Sequence, residues 1–235
     1  MAVRRLGRPR LHLREVDSTN RRARELAAAG AAHGTLVTAT AQTAGRGRQG
    51  RSWSAPAGRA LVLSVVLRDP PALLPLVAAA AVAELAGDSA LVKWPNDVLV
   101  DGRKVAGILA EGRPQESWAV LGIGVNVAVR MDDLPAGLRG TAGTLGLEPG
   151  DVEPCLQRLL CALERWLAAP RDELLAALRA RDALANREVR WDGGAGTARG
   201  IDDGGRLVVQ RADGERVALE AGEVHLASGP PPGDA

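Results

Sequence analysis

The chain is 235 residues long, 46% hydrophobic and 25% charged, with a formal net charge of +2; it can bury a core without staples and has no global field to hold nucleic acid. No apolar stretch of about 18 residues is free of charge and no signal-peptide core precedes a cleavage site, which argues against a membrane span or export and points to a cytoplasmic protein. Phe and Tyr are absent and the five tryptophans are the only aromatic residues, so the core is expected to be aliphatic.

Taken in order, Arg4, Arg5, Arg8, Arg10 and Arg14 form a local basic run that reads as a solvated arm. Leu11 to Val16 alternates apolar and polar residues, as a half-exposed strand does, and runs into Asp17-Ser18-Thr19-Asn20. A helix is expected next, with Ala23, Leu26 and Ala27 as its apolar stripe and Gly30 at its end. The Ser18 or Thr19 hydroxyl suits either the cap of that helix or a ligand.

Between the apolar runs Thr35 to Ala39 and Leu61 to Leu67 lies Ala44-Gly45-Arg46-Gly47-Arg48-Gln49-Gly50-Arg51-Ser52-Trp53. Its glycines let backbone N–H groups approach a ligand and its arginines supply fixed positive charge, so the loop reads as a phosphate cradle or, more simply, as a solvated turn. Pro70, Pro71 and Pro75 lead into an alanine-rich helix over Leu76 to Ala86, and Leu91 to Trp94 reads as a strand stopped by Pro95. Val98 to Val100 and Lys104 to Leu109 flank Asp101-Gly102 as a hairpin. Strict alternation puts Lys104 on the same strand face as Ala106 and Ile108, as a group held over apolar surface or as a snorkelling edge lysine.

Trp118 to Val129 is a further apolar run, with Gly122 and Gly124 inside it and Asn126 its lone polar interruption. Helical periods cover Val152 to Trp166 and Arg171 to Leu184. Cys155 and Cys161 fall on different faces of the first of these and read as inert core thiols. After Asn186 the texture changes to short strands with Gly and Asp turns, as in a small β-barrel. The expected division is a main domain over 1–185, a barrel over 186–227 and a disordered tail over 228–235.

Asp17 to Asn20, Gln42 to Trp53, Lys93-Trp94-Pro95-Asn96-Asp97, Arg103 to Leu109 and Gly122 to Asn126 together resemble the biotin protein ligases. The likeness to this biotin–[acetyl-CoA carboxylase] ligase or holocarboxylase synthetase family runs in family order from about Leu11 onward. It implies an α+β fold: a class II synthetase-like mixed β-sheet catalytic domain packed with helices, plus a small SH3-like β-barrel. It also implies two half-reactions. Biotin and MgATP give biotinyl-adenylate and pyrophosphate; a lysine of a biotin carboxyl carrier protein then takes the biotinyl group. A carboxylate must approach a phosphate, so cations aimed at both lower the barrier.

Carried over by position, the resemblance assigns Ser18, Thr19, Asn20 and Gln42 to the biotin ring, with Gly107 as pocket wall. Gly45, Arg46, Gly47 and Arg48 become the loop over the carboxylate and phosphates, and Lys104 the lysine at the adenylate linkage; Arg46, Arg48 and Lys104 form the catalytic set. Arg51, Trp53, Lys93, Asn96 and Asn126 are assigned to the nucleotide, Trp53 against the adenine. Asp97 orients an arginine or Mg²⁺, although Pro95-Asn96-Asp97 is also an ordinary turn sequence. About 16 residues precede Asp17, too few for the three-helix DNA-binding domain of some members, so a monofunctional enzyme without nucleic-acid binding is expected. The rivals are a lipoate or octanoate ligase or transferase, against which the loop from Gly45 to Arg51 speaks, and a non-catalytic nucleic-acid-binding module, against which the net charge speaks.

Overall fold

The computed structural model describes residues 6–220 and 224–226; Arg4, Arg5 and the expected tail over 228–235 lie outside the described residues. In chain order the elements are β1 (Arg10–Val16), α1 (Thr19–Ala28), β2 (Leu36–Gln42), β3 (Ala60–Arg68), α2 (Leu74–Ala86), β4 (Leu91–Lys93), β5 (Asp97–Val100), β6 (Arg103–Arg113) and β7 (Trp118–Asn126). There follow α3 (Val152–Ala168), α4 (Arg171–Ala180), β8 (Glu188–Trp191), β9 (Gly194–Ile201), β10 (Leu207–Gln210), β11 (Arg216–Leu219) and β12 (His225–Leu226). Strands β1 to β7 form one sheet in the order β1-β2-β3-β7-β6-β5-β4. The β1–β2 pair, joined through α1, is parallel and the other pairs are antiparallel, so the sheet is mixed as expected.

The central strands β3 and β7 are apolar runs because both of their faces are covered. Odd-numbered residues such as Leu63, Val65, Leu121 and Ile123 meet α2 and α3 in the main core. Helix α2 is apolar all round and sinks into that core, while α3 presents only the stripe of Leu156, Leu159 and Leu163. The opposite face is covered by α1 only in part: Val66, Trp118 and Val120 pack against Ala23 and Ala27. Beyond the start of α1, the same face carries Ser64 on β3 and Gly122 and Gly124 on β7, and the covering layer gives way to a cleft.

The second sheet is antiparallel and five-stranded, in the order β11-β10-β9-β8-β12. Its outer strands β11 and β12 do not pair with each other among the described residues, so the expected barrel is an open sheet here. Its Val189, Ile201 and Leu207, with Val224 just before β12, join the cluster that holds α2 and α3, so both sheets share one core. Trp94 Nε1 donates to Gly205 O at 3.0 Å across this junction, and Arg179 Nε donates to Ile201 O at 2.7 Å.

Several expectations need correction. Arg10 is no part of a solvated arm: it begins β1, and its guanidinium grips Glu153 of α3 at 2.6 and 2.9 Å. Helix α4 stops at Ala180, before the expected Leu184, because Arg181 and Ala183 exchange backbone hydrogen bonds with Val92 of β4. Cys155 and Cys161 do face different ways, but only Cys155 is a core thiol; Cys161 is exposed. No helix among the described residues is long and apolar enough to cross a membrane.

Candidate active site

The first wall of the cleft is the start of α1. Ser18 is the N-cap, its side chain accepting the Arg21 N–H at 3.5 Å, and Ser18, Thr19 and Asn20 are all buried where they line the cleft. Capping and lining are thus compatible uses of one segment. Thr19 donates its N–H to Gln42 Oε1 at 2.8 Å and its hydroxyl to the same oxygen at 3.1 Å. Asn20 lies directly on Gly122, where a side chain on residue 122 would collide with it. Its Nδ2 donates to Glu111 Oε2 at 2.8 Å, and Ser64 Oγ donates to its Oδ1 at 2.7 Å.

Ser64 and Glu111 were missed by the sequence reading. Both had a signal: Ser64 is the polar break in the run of β3, and Glu111 shares the two-residue phase of Gly107 and Leu109.

The loop after β2 folds back on itself as a narrow hairpin. Trp53 N–H donates to Gly45 O at 2.9 Å and Gly47 N–H to Arg51 O at 2.7 Å. Its tip turns through Gln49 at φ 55° and Gly50 at φ 76°. Gly45 is demanded by packing, since a Cβ there would meet the Trp53 carbonyl. Two arginines moor the hairpin across the cleft: Arg48 Nη1 donates to Asn96 Oδ1 at 3.0 Å, and Arg46 Nη1 stands 3.6 Å from Glu111 Oε1. At its base the Trp53 indole lies on Gly107 and Gly124, which face each other across β6 and β7. Its Nε1 is buried and has no hydrogen-bond partner among the described residues.

Cations gather at the other end. Strict alternation assigned Lys104 to the face of Ala106 and Ile108, and this is wrong. Val98 pairs with Ala106 but Leu99 pairs with Lys104, so Val105 is an extra residue in β6. That bulge reverses the phase and lays the lysine side chain against Gly107, in the cleft. Lys104 Nζ then meets Asp97 Oδ1 at 2.7 Å, and Asn96 Nδ2 donates to the same oxygen at 3.0 Å. Lys93 faces Asp97 in the β4–β5 register. Burial pulls the Lys93 ammonium below the ordinary lysine pKa, with Asp97 opposing that shift and Lys104 and Arg51 adding to it. Burial likewise lowers Arg48, against the pull of Asp97.

One cleft of about 880 Å³ including its open mouth, within the range of small-molecule sites, brings these groups together. Ser18, Thr19, Asn20, Gln42, Arg46, Gly47, Arg48, Arg51, Trp53, Lys93, Asn96, Asp97, Lys104 and Gly107 all line it, with Val224, just before β12. Gly45 stands behind the lining, where it closes the hairpin. Asn126 is not in the lining either: it is buried, its Nδ2 donates to Gly143 O at 2.8 Å, and its Oδ1 has no partner among the described residues. It anchors the segment whose Gly143 N–H donates to Lys104 O at 2.8 Å. The cleft therefore offers neutral, directional hydrogen bonds at one end and cations at the other, a match for a ligand with a polar head and an anionic tail.

Comparison with known proteins bears on that chemistry. The model of the biotin/lipoate A/B protein ligase family matches residues 13–127, and that of the biotin protein ligase C-terminal domain matches residues 192–226. The biotin–[acetyl-CoA-carboxylase] ligase of Mycobacterium tuberculosis is 37% identical over 235 residues, covering 90% of this chain and 87% of its own. That of Paracoccus denitrificans is 35% identical over 242 residues, covering 90% and 98%. The structure of the biotin protein ligase of Aquifex aeolicus in complex with biotin and ATP superposes with a TM-score of 0.81 at 28% identity, covering 94% of this chain and all of that one.

Proposed function

The chain belongs to the biotin/lipoate A/B protein ligase family, and from that premise we propose that it activates biotin with ATP and transfers it to a lysine of a carboxylase carrier domain. The observation that carries this reading is the two-ended cleft, with the Gln42-Thr19-Ser64-Asn20-Glu111 hydrogen-bond chain at one end and Lys104 with Arg48 at the other. A cyclic urea, with its carbonyl and two N–H groups, answers such a chain. A lipoyl dithiolane has neither, and would leave buried polar groups without partners, which disfavours the lipoate reading.

In the first half-reaction, the ring held by Ser18 to Asn20 and Gln42 directs the carboxylate toward Lys104. Magnesium enters on the phosphates of ATP, the nucleotide lying along Arg51, Trp53, Lys93 and Asn96. A carboxylate oxygen bonds to the α-phosphorus while the bond to the bridging oxygen breaks and pyrophosphate leaves. Lys104 and Arg48 offset the charge that gathers there, with no reorganisation at the moment of reaction. Asp97 is engaged by Lys104 and Asn96, so its role is to hold the lysine on target. Arg46 and Arg48, moored to opposite walls, keep the hairpin down and water out until the amine of the carrier attacks the acyl carbon, forms the amide and displaces AMP. Asn126 acts from behind, through the Gly143 segment that grips the Lys104 backbone. ATP and a carboxylase acceptor locate this work in the cytoplasm, with no part for nucleic acid.

The test is a mass spectrum of an isolated carrier domain after incubation with the protein, biotin and MgATP. One added biotinyl group is expected, and none with lipoate in place of biotin. Pyrophosphate release with lipoate alone would overturn the assignment.

A further inference from the structure

Glu111 touches both the ring end of the cleft and the hairpin over it. Its Oε2 accepts from Asn20 Nδ2 at 2.8 Å; its Oε1 accepts from Arg24 Nη1 at 3.1 Å and stands 3.6 Å from Arg46 Nη1. A carboxylate has no hydrogen to give, and neither does the Leu109 carbonyl, 3.4 Å from the same Asn20 nitrogen. Both force the amide nitrogen of Asn20 toward β6, which turns its oxygen to Ser64, 2.7 Å away. Ser64 has one hydroxyl hydrogen, and Asn20 Oδ1 claims it. Thr19 Oγ1 is then cast as a donor, its one hydrogen lying between Ser64 Oγ at 2.9 Å and Gln42 Oε1 at 3.1 Å. One carboxylate thus fixes which groups of a buried chain donate and which accept; Thr19 and Asn20 of that chain line the cleft, and Ser64 joins them from behind it.

We propose that Glu111 is a positioning and specificity-determining residue: it sets the direction of the Asn20-Ser64-Thr19 chain, and so makes the cleft prefer a ring with a carbonyl between two N–H groups over a guanidine-like ring of the same shape. This rests on the reading of that end as the biotin-ring site. The selective element is as much repulsive as attractive, because a wrong ring places donor against donor in a buried setting.

Biotin and 2-iminobiotin, in which C=N–H replaces C=O, test this by calorimetry on the full chain. The unaltered protein is expected to prefer biotin. In Glu111→Gln the new amide offers Asn20 either a donor or an acceptor, so the direction is left to the longer Leu109 contact alone. Biotin affinity and the biotin to iminobiotin ratio should each fall by about tenfold, the scale of one hydrogen bond to a charged group. Anchorage of Arg24 and Arg46 alone would move kcat and leave the ratio unchanged, which overturns the proposal. Ser64→Ala frees the Asn20 oxygen from the other side and should shrink the ratio as well; if Glu111→Gln does not fold, that variant decides, and an unchanged ratio overturns. Unaltered protein that binds neither ring overturns the functional reading along with this one, whereas biotin preference indifferent to both substitutions overturns this one alone.

Discussion

Lys104 Nζ lies 2.7 Å from Asp97 Oδ1, and the two meet because the extra residue in β6 turns the lysine from the core face to the cleft face. The charge of Lys104 is thereby fixed in direction before any ligand arrives. Lys104→Ala should slow adenylate formation by about 10²- to 10³-fold, as loss of one preorganised donor does, while biotin affinity changes far less. Asp97→Asn should give a milder version, with the lysine present but unheld. Single-turnover pyrophosphate release set against biotin calorimetry separates the two quantities; equal losses in both would contradict a transition-state role.

Arg48 ties the hairpin to Asn96 on the opposite wall. Arg48→Ala should leave the fold intact and let the mixed anhydride escape before the carrier arrives. The readout is labelling of bystander lysines on an unrelated protein in the same tube. Selectivity equal to that of the unaltered enzyme would count against the hairpin as a closure.

Burial lowers the Lys93 pKa, so the folded protein favours the neutral amine. The sign follows: below the lowered pKa the full cost of a buried ammonium is present, and stability rises with pH from there toward the ordinary lysine pKa. A bound polyphosphate favours the protonated form instead. ATP binding should therefore take up a proton and weaken as pH rises through that window. Calorimetry in two buffers of different ionisation enthalpy measures the uptake, and Lys93→Arg, charged throughout, should abolish it.

Gly205 accepts the Trp94 indole hydrogen, sits at φ 79°, and has Leu73 Cδ2 2.7 Å from where a Cβ would be. Gly205→Ala should cost about 1–3 kcal/mol through backbone strain and overpacking, and Trp94→Phe about 1 kcal/mol through the lost hydrogen bond. Thermal unfolding gives both. Because Val224, just before β12, lines the cleft, KM for ATP should rise with the loss of stability.

Much of the architecture was legible because backbone chemistry announces it. Asp101-Gly102 marked the β5–β6 turn, Pro75 the entry to α2, and the glycines of the hairpin a chain that folds back on itself. Ser18 to Asn20 were legible only as a cap or a site, and Ser18 both caps α1 and lines the cleft. What failed was phase. A two-residue period carried past a bulge assigns every later side chain to the wrong face, and Lys104 was the casualty. Ser64 and Glu111 were legible as a polar break and a phase partner but not in their role, which lies in Asn20, distant in sequence; single-strand patterns carry no record of a partner on another element. Cys161 shares a helix with Cys155 but not its stripe, a distinction that two residues alone do not reveal.

The short return strand β12, which pairs with β8 and follows Val224, has a consequence for synthesis. A ribosome exposes Ser18, the hairpin and Lys104 well before Val224 emerges, so a half-made chain holds the reactive groups around an unfinished wall. A translation product cut short before Val224 loses a strand of its last sheet and a residue of the cleft lining together. The quality of the chemistry is thus tied to how far the chain has been read.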